Sequence, residues 1–144
     1  RKGMLKAAYC AGVAFTKSYV GYVHAVAHSL GGQYGTPHGL ANAVILPVVL
    51  RMYGPACEKK LACLARKAGV VDEKLNDREA SRDFIRWIQK MNDSMGIPRT
   101  ISGIHEKDIP MMAKHADQEG NPLYPVPVLM NRKELEQIYY KVKE

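Results

Sequence analysis

Apolar residues along this 144-residue chain recur mostly at helical rather than alternating spacing, and no run reads as a strand. From residue 4 to about 30, Ala, Val, Gly, Phe and Tyr fall on nearly every side, which predicts one long buried helix. Gly31, Gly32, Gly35, Pro37 and Gly39 then predict a loop over 31 to 39. A second apolar helix is expected over 40 to 52, kinked at Pro47, because proline lacks the amide donor and crowds the preceding turn. Gly54 and Pro55 break the chain, and residues 56 to 68 read as a third helix closed by Gly69. Asn76 and Glu79 form a capping-box pattern ahead of Ala80, Phe84, Trp87, Ile88, Met91 and Met95 at helical spacing. A turn over 96 to 103 precedes a short helix over 107 to 116, with Pro110 in its first turn. Pro122, Pro125 and Pro127 force an extended connection. Asn131 and Glu134 repeat the capping box and introduce a last helix, with Leu135, Ile138, Tyr139 and Val142 on one face. The fold class expected is all-α, a single helical domain over residues 1–144.

Composition adds constraints. The hydrophobic fraction of 47% and charged fraction of 24% suit a globular domain. No apolar run reaches the length of a membrane span, and the start lacks a secretory signal, so a cytoplasmic location is expected. Cys10, Cys57 and Cys63 are odd in number and lack CxxC spacing, which argues against a disulfide framework or a zinc ribbon. The formal charge of +7 raises the question of an anionic partner. The basic residues are scattered in pairs without a recognition helix or aromatic platform, so nucleic acid is not an expected partner.

The chemistry concentrates in VHAVAHSLGGQYGTPHG, which holds His24, His28 and His38. Four residues on a helix turn roughly 400°, so His24 and His28 project from nearly the same face. The glycines and Pro37 allow the chain to fold back and bring His38 toward that face. Neutral imidazole suits first-row divalent ions, but the spacing alone does not say which of His24 and His28 would bind one. His105 and His115 read as surface or packing residues.

The stretch over residues 11 to 47, AGVAFTKSYVGYVHAVAHSLGGQYGTPHGLANAVILP, resembles the signature region of the iron-containing (group III) alcohol dehydrogenases, and the NPLYPVPVLM segment over 121 to 130 extends the resemblance. It implies the C-terminal helical part of a metal-dependent, NAD- or NADP-linked enzyme that interconverts an alcohol and an aldehyde or ketone. His24 and His38 look like two of four metal ligands, for ferrous iron or else zinc. His28 resembles the pocket histidine beside the nicotinamide, in a catalytic and cofactor-binding role, and Phe15 corresponds to a substrate-pocket position nine residues before His24. The family's remaining ligand pair, an Asp and a His four residues apart, has no counterpart in these residues, nor has a GxGxxG turn after a strand. The chain is therefore expected to be a fragment lacking the N-terminal dinucleotide-binding domain, from an enzyme that is a homo-oligomer. Related glycerol dehydrogenases and dehydroquinate synthases are the alternative enzymes, and the ANA and NPLYPVP elements favour the alcohol dehydrogenase. A non-catalytic helical module would account for the basic charge but not for the histidine spacing.

Overall fold

The computed structural model describes all 144 residues as seven α-helices and one 3₁₀ turn. The helices are α1 (Lys2–Ser18), α2 (Tyr22–Tyr34), α3 (His38–Tyr53), α4 (Pro55–Lys67), α5 (Asp77–Ser94), α6 (Ile109–Gly120) and α7 (Arg132–Val142), and the 3₁₀ turn Glu106–Asp108 leads into α6. No strand forms, and the sole β-type pairing is an isolated bridge between Ile101 and Lys143. No helix is long and apolar enough to cross a membrane.

Helix α2 is the hub. It packs against α3, α6 and α7, while α4 packs along α5. Tyr22, Ala25, Val26, Ala27 and Leu30 of α2 are buried with Ile45 and Val49 of α3, Ile109 and Met112 of α6, and Leu135, Ile138 and Tyr139 of α7. The two capping boxes form as their sequences predict. Asn76 Oδ1 accepts the Glu79 amide at 3.0 Å, Asn131 Oδ1 accepts the Glu134 amide at 3.1 Å, and each glutamate accepts its partner's amide in return.

Three expectations change. The run from 4 to 30 is two helices, broken at Tyr19, whose φ of 60° lies in the left-handed region that a bulky residue seldom occupies. The nine residues from Phe15 to His24 therefore do not lie on one helix. Moreover, no residue of α1 is buried, and Met4, Leu5 and Tyr9 are exposed. An all-round apolar pattern states what a helix would gain from cover, not what covers it.

The expected loop over 31 to 39 contracts to three residues. Gly31 and Gly32 remain inside α2, and the helix closes at Gly35, φ 66°, whose amide bonds Gly31 O. A Cβ at Gly31 would lie 3.6 Å from the Thr36 carbonyl oxygen of the returning chain, an ordinary van der Waals contact, so the fold does not demand glycine there. Pro47 lies within α3, which continues through it.

On α5 the buried stripe is Ala80, Ser81, Ile85, Ile88 and Asn92. Trp87, Met91 and Met95 lie on the exposed side, and Trp87 stacks on Phe84 with ring centres 6.0 Å apart. Helical periodicity locates an apolar stripe only to within about one residue, and the polar Ser81 and Asn92 disguised this one. Asn92 is buried because its amide donates to the Ala43 carbonyl of α3 at 2.8 Å.

Candidate metal centre

Tyr22 fixes the start of α2 and hence the aim of the histidines that follow. Its hydroxyl, at the end of a fully buried ring, donates to Asn121 Oδ1 at 2.5 Å and accepts the Met130 amide at 3.0 Å. Asn121 Nδ2 donates in turn to Asp117 Oδ1 and to the Met130 carbonyl. Gly120 makes the approach possible, because a Cβ there would come within 2.9 Å of the Tyr22 ring. The proline-rich connection over 121 to 130 is thus tied onto α2 just before His24.

The turn at Gly35 returns the chain so that His38, the first residue of α3, meets the α2 histidines. Ring centres are 5.3 Å apart for His24 and His38, 5.3 Å for His28 and His38, and 5.9 Å for His24 and His28. Orientation separates the pairs. The His28 ring lies nearly parallel to that of His38, at 19°, whereas His24 and His38 are tilted by 52°. Asn42, one turn into α3, donates to the His38 carbonyl at 2.9 Å and lies 3.0 Å from His38 Nε2, which holds the ring.

Burial, followed by the neighbouring His38 and His28, lowers the pKa of His24 below the ordinary imidazole value, with Glu119 pulling the other way. His24 therefore tends to keep its lone pair free of a proton. It also lines a largely apolar cavity of about 530 Å³, walled by the α1–α2 junction, Asn42 and Leu46 of α3, Tyr53, and Pro125 to Pro127. Phe15 lies elsewhere on α1, half exposed, and does not line this cavity. His105 and His115 are exposed and apart from the cluster; His105 packs beside Tyr34.

Two imidazoles on one tetrahedral ion, each nitrogen about 2.0–2.1 Å from it, hold their ring centres roughly 5 Å apart. His24 and His38 match that separation, with ring planes 52° apart, and His28 and His38 match it as well. The buried Asn42 Oδ1, without a hydrogen-bond partner, leaves an unmet acceptor beside the same pair. No group of three or more His, Cys, Asp and Glu side chains is arranged to hold an ion. The neutral imidazoles brought together here are donors of the kind that suit a first-row divalent ion.

Residues 1–142 match the profile of the Fe-containing alcohol dehydrogenase family, C-terminal part. The chain belongs to this family. Across 96% of its length it is 39% identical to a 1,3-propanediol dehydrogenase of Citrobacter freundii, covering 36% of that protein. It is 38% identical to alcohol dehydrogenase 4 of Saccharomyces cerevisiae over 81% of its length and 30% of the yeast protein. Its fold superposes on an alcohol dehydrogenase from Oenococcus oeni with a TM-score of 0.82 at 33% identity, over 92% of this chain and 35% of that one. A 1,3-propanediol oxidoreductase structure gives a TM-score of 0.77 at 37% identity, over 85% of this chain and 32% of that one. The chain spans about a third of the length of these alcohol dehydrogenase relatives, which accords with the all-α architecture of a C-terminal part.

Glu119 and Tyr124 went unselected on sequence grounds. Glu119 Oε1 lies 2.7 Å from His28 Nδ1 and accepts the Tyr124 hydroxyl at 2.8 Å. Glu119 lies 91 residues from His28, and only the packing of α2 on α6 brings them together. The sequence signal was the resemblance, in which the segment over 117 to 121 approaches the site, with no role given to Glu119 itself.

Proposed function

We infer that this chain is the metal-holding, helical part of an NAD- or NADP-linked alcohol dehydrogenase that interconverts a small alcohol with its aldehyde or ketone. The observation that carries this reading is the meeting of His24, His28 and His38, rings within 6 Å of one another, beside the cavity that His24 lines. His24 and His38 are the metal ligands contributed by these residues. Ferrous iron bound there, or zinc in its place, supplies Lewis acidity toward the substrate oxygen, and the nicotinamide cofactor supplies the hydride acceptor.

The remaining work belongs to side chains. His28, one helical turn from His24 and outside the ligand pair, takes the proton that the alcohol oxygen gives up and returns it when an aldehyde is reduced. Its side chain is 45% exposed, so the proton can leave for solvent. The cavity walls, chiefly Val20, Val23, Leu46, Val126 and the flanking prolines, shelter an apolar substrate chain from water. Phe15, half exposed on α1 and outside this cavity, is assigned to the substrate pocket on the family resemblance alone. The other two ligands and the dinucleotide site come from sequence equivalent to the remaining two thirds of the relatives.

The test follows nicotinamide absorbance in the intact protein loaded with ferrous iron or zinc, with NAD or NADP and a panel of primary alcohols and aldehydes. Turnover abolished by a chelator is expected, and residues 1–144 alone are expected to show none. Chelator-insensitive turnover, or turnover by the 144 residues unaided, would contradict the reading.

A further inference from the structure

The side chain that holds His28 lies outside the histidine cluster. Glu119 projects from the last turn of α6, and its Oε1 receives two contacts, His28 Nδ1 at 2.7 Å and the Tyr124 hydroxyl at 2.8 Å. An ionised carboxylate only accepts hydrogen bonds. Burial, and then the contact with Glu119, push the Tyr124 hydroxyl up to about 12, so it keeps its proton and donates. Both neighbours of Oε1 must therefore be donors, which places a proton on His28 Nδ1. In a neutral imidazole the lone pair then sits on Nε2, across the ring from Glu119.

We propose that Glu119, anchored by Tyr124, is a positioning residue that fixes His28 in the Nδ1–H tautomer and leaves Nε2 as the proton-accepting nitrogen. This rests on the relay role assigned to His28. In alcohol oxidation the substrate O–H bond breaks, and its proton bonds to the Nε2 lone pair. The Nδ1–H stays in place, so the ring becomes a cation facing the Glu119 anion, and the Nε2 proton then passes to water. The carboxylate thus orients the ring and stabilises its charged form without itself gaining a proton, as in the acid–histidine pairing of hydrolytic triads.

Long-range proton–nitrogen NMR on metal-free protein carrying ¹⁵N-histidine, at about pH 8 where an ordinary imidazole is neutral, separates the tautomers directly. The wild type is expected to show His28 protonated at Nδ1. Glu119→Leu is expected to release it toward the Nε2–H form that unconstrained histidines prefer. Glu119→Gln keeps an oxygen acceptor for Tyr124 and Nδ1 but loses the charge, so it should retain the tautomer. In the metal-loaded intact enzyme, kcat for Glu119→Gln should fall about 10- to 100-fold with KM little changed. A wild-type His28 protonated at Nε2, or a tautomer unaltered in Glu119→Leu, overturns the assignment without recourse to any variant's activity. If instead the tautomer behaves as expected while kcat does not fall, the positioning stands and the relay role of His28 is what fails.

Discussion

Replacing His28 with alanine in the intact, metal-loaded enzyme is expected to lower turnover by about 10² to 10⁴-fold, the range associated with a side chain that moves a proton in the transition state. Metal content should stay close to that of the wild type. The expectation rests on the proposed division of roles, in which His24 and His38 bind the ion while His28, its Nδ1 2.7 Å from Glu119 Oε1, moves the proton. Substrate binding should change less than turnover, because the apolar walls of the neighbouring cavity do not include His28. Metal analysis and steady-state kinetics on one preparation check both halves. Loss of metal in parallel with activity would make His28 a ligand and reverse the division of labour among the three histidines.

A large effect on stability is expected at Tyr22. Truncating a buried aromatic ring to alanine costs about 3–5 kcal/mol, and Tyr22→Ala would also strand Asn121 Oδ1 and the Met130 amide, which the Tyr22 hydroxyl satisfies. Set against a typical domain stability of about 5–15 kcal/mol, this is a large share, corresponding to a fall in Tm of roughly 10–15 °C. Tyr22→Phe keeps the ring and loses only the hydroxyl, so it should cost about 1–3 kcal/mol. The damage should reach the site, since Tyr22 ties the proline-rich connection to α2 two residues before His24. Thermal unfolding followed by circular dichroism measures both. A shift for Tyr22→Ala no larger than that for Tyr22→Phe would show that the ring is not the anchor inferred from its burial.

Local signals in the sequence translated well into structure. The Asn76–Glu79 and Asn131–Glu134 boxes involve residues three apart, so their hydrogen bonds depend on little beyond the helix itself. The same holds for His24 and His28, four apart on α2, and the short return through Gly35 was enough to bring His38 to them. What failed was knowledge of neighbours. The apolar pattern of α1 gave no hint that its residues lie exposed, and the break at Tyr19 carries no proline to announce it. Gly31 and Gly32 looked like a helix end, yet helices tolerate glycine at about 1 kcal/mol each, and the left-handed residue is Gly35. The role of Glu119 was illegible because its partner is set by the packing of α6 on α2, and one glutamate beside a glycine has no motif of its own.

The central claim is that His24 and His38 together hold a metal ion, and the metal-to-protein ratio of the intact protein tests it most directly. Wild type, His24→Ala and His38→Ala would be purified in parallel, loaded with ferrous iron or zinc, freed of excess ion and analysed for metal. The account predicts close to one ion per chain in the wild type and background levels in both variants, with each variant still folded by circular dichroism. Full metal occupancy in either folded variant would contradict it.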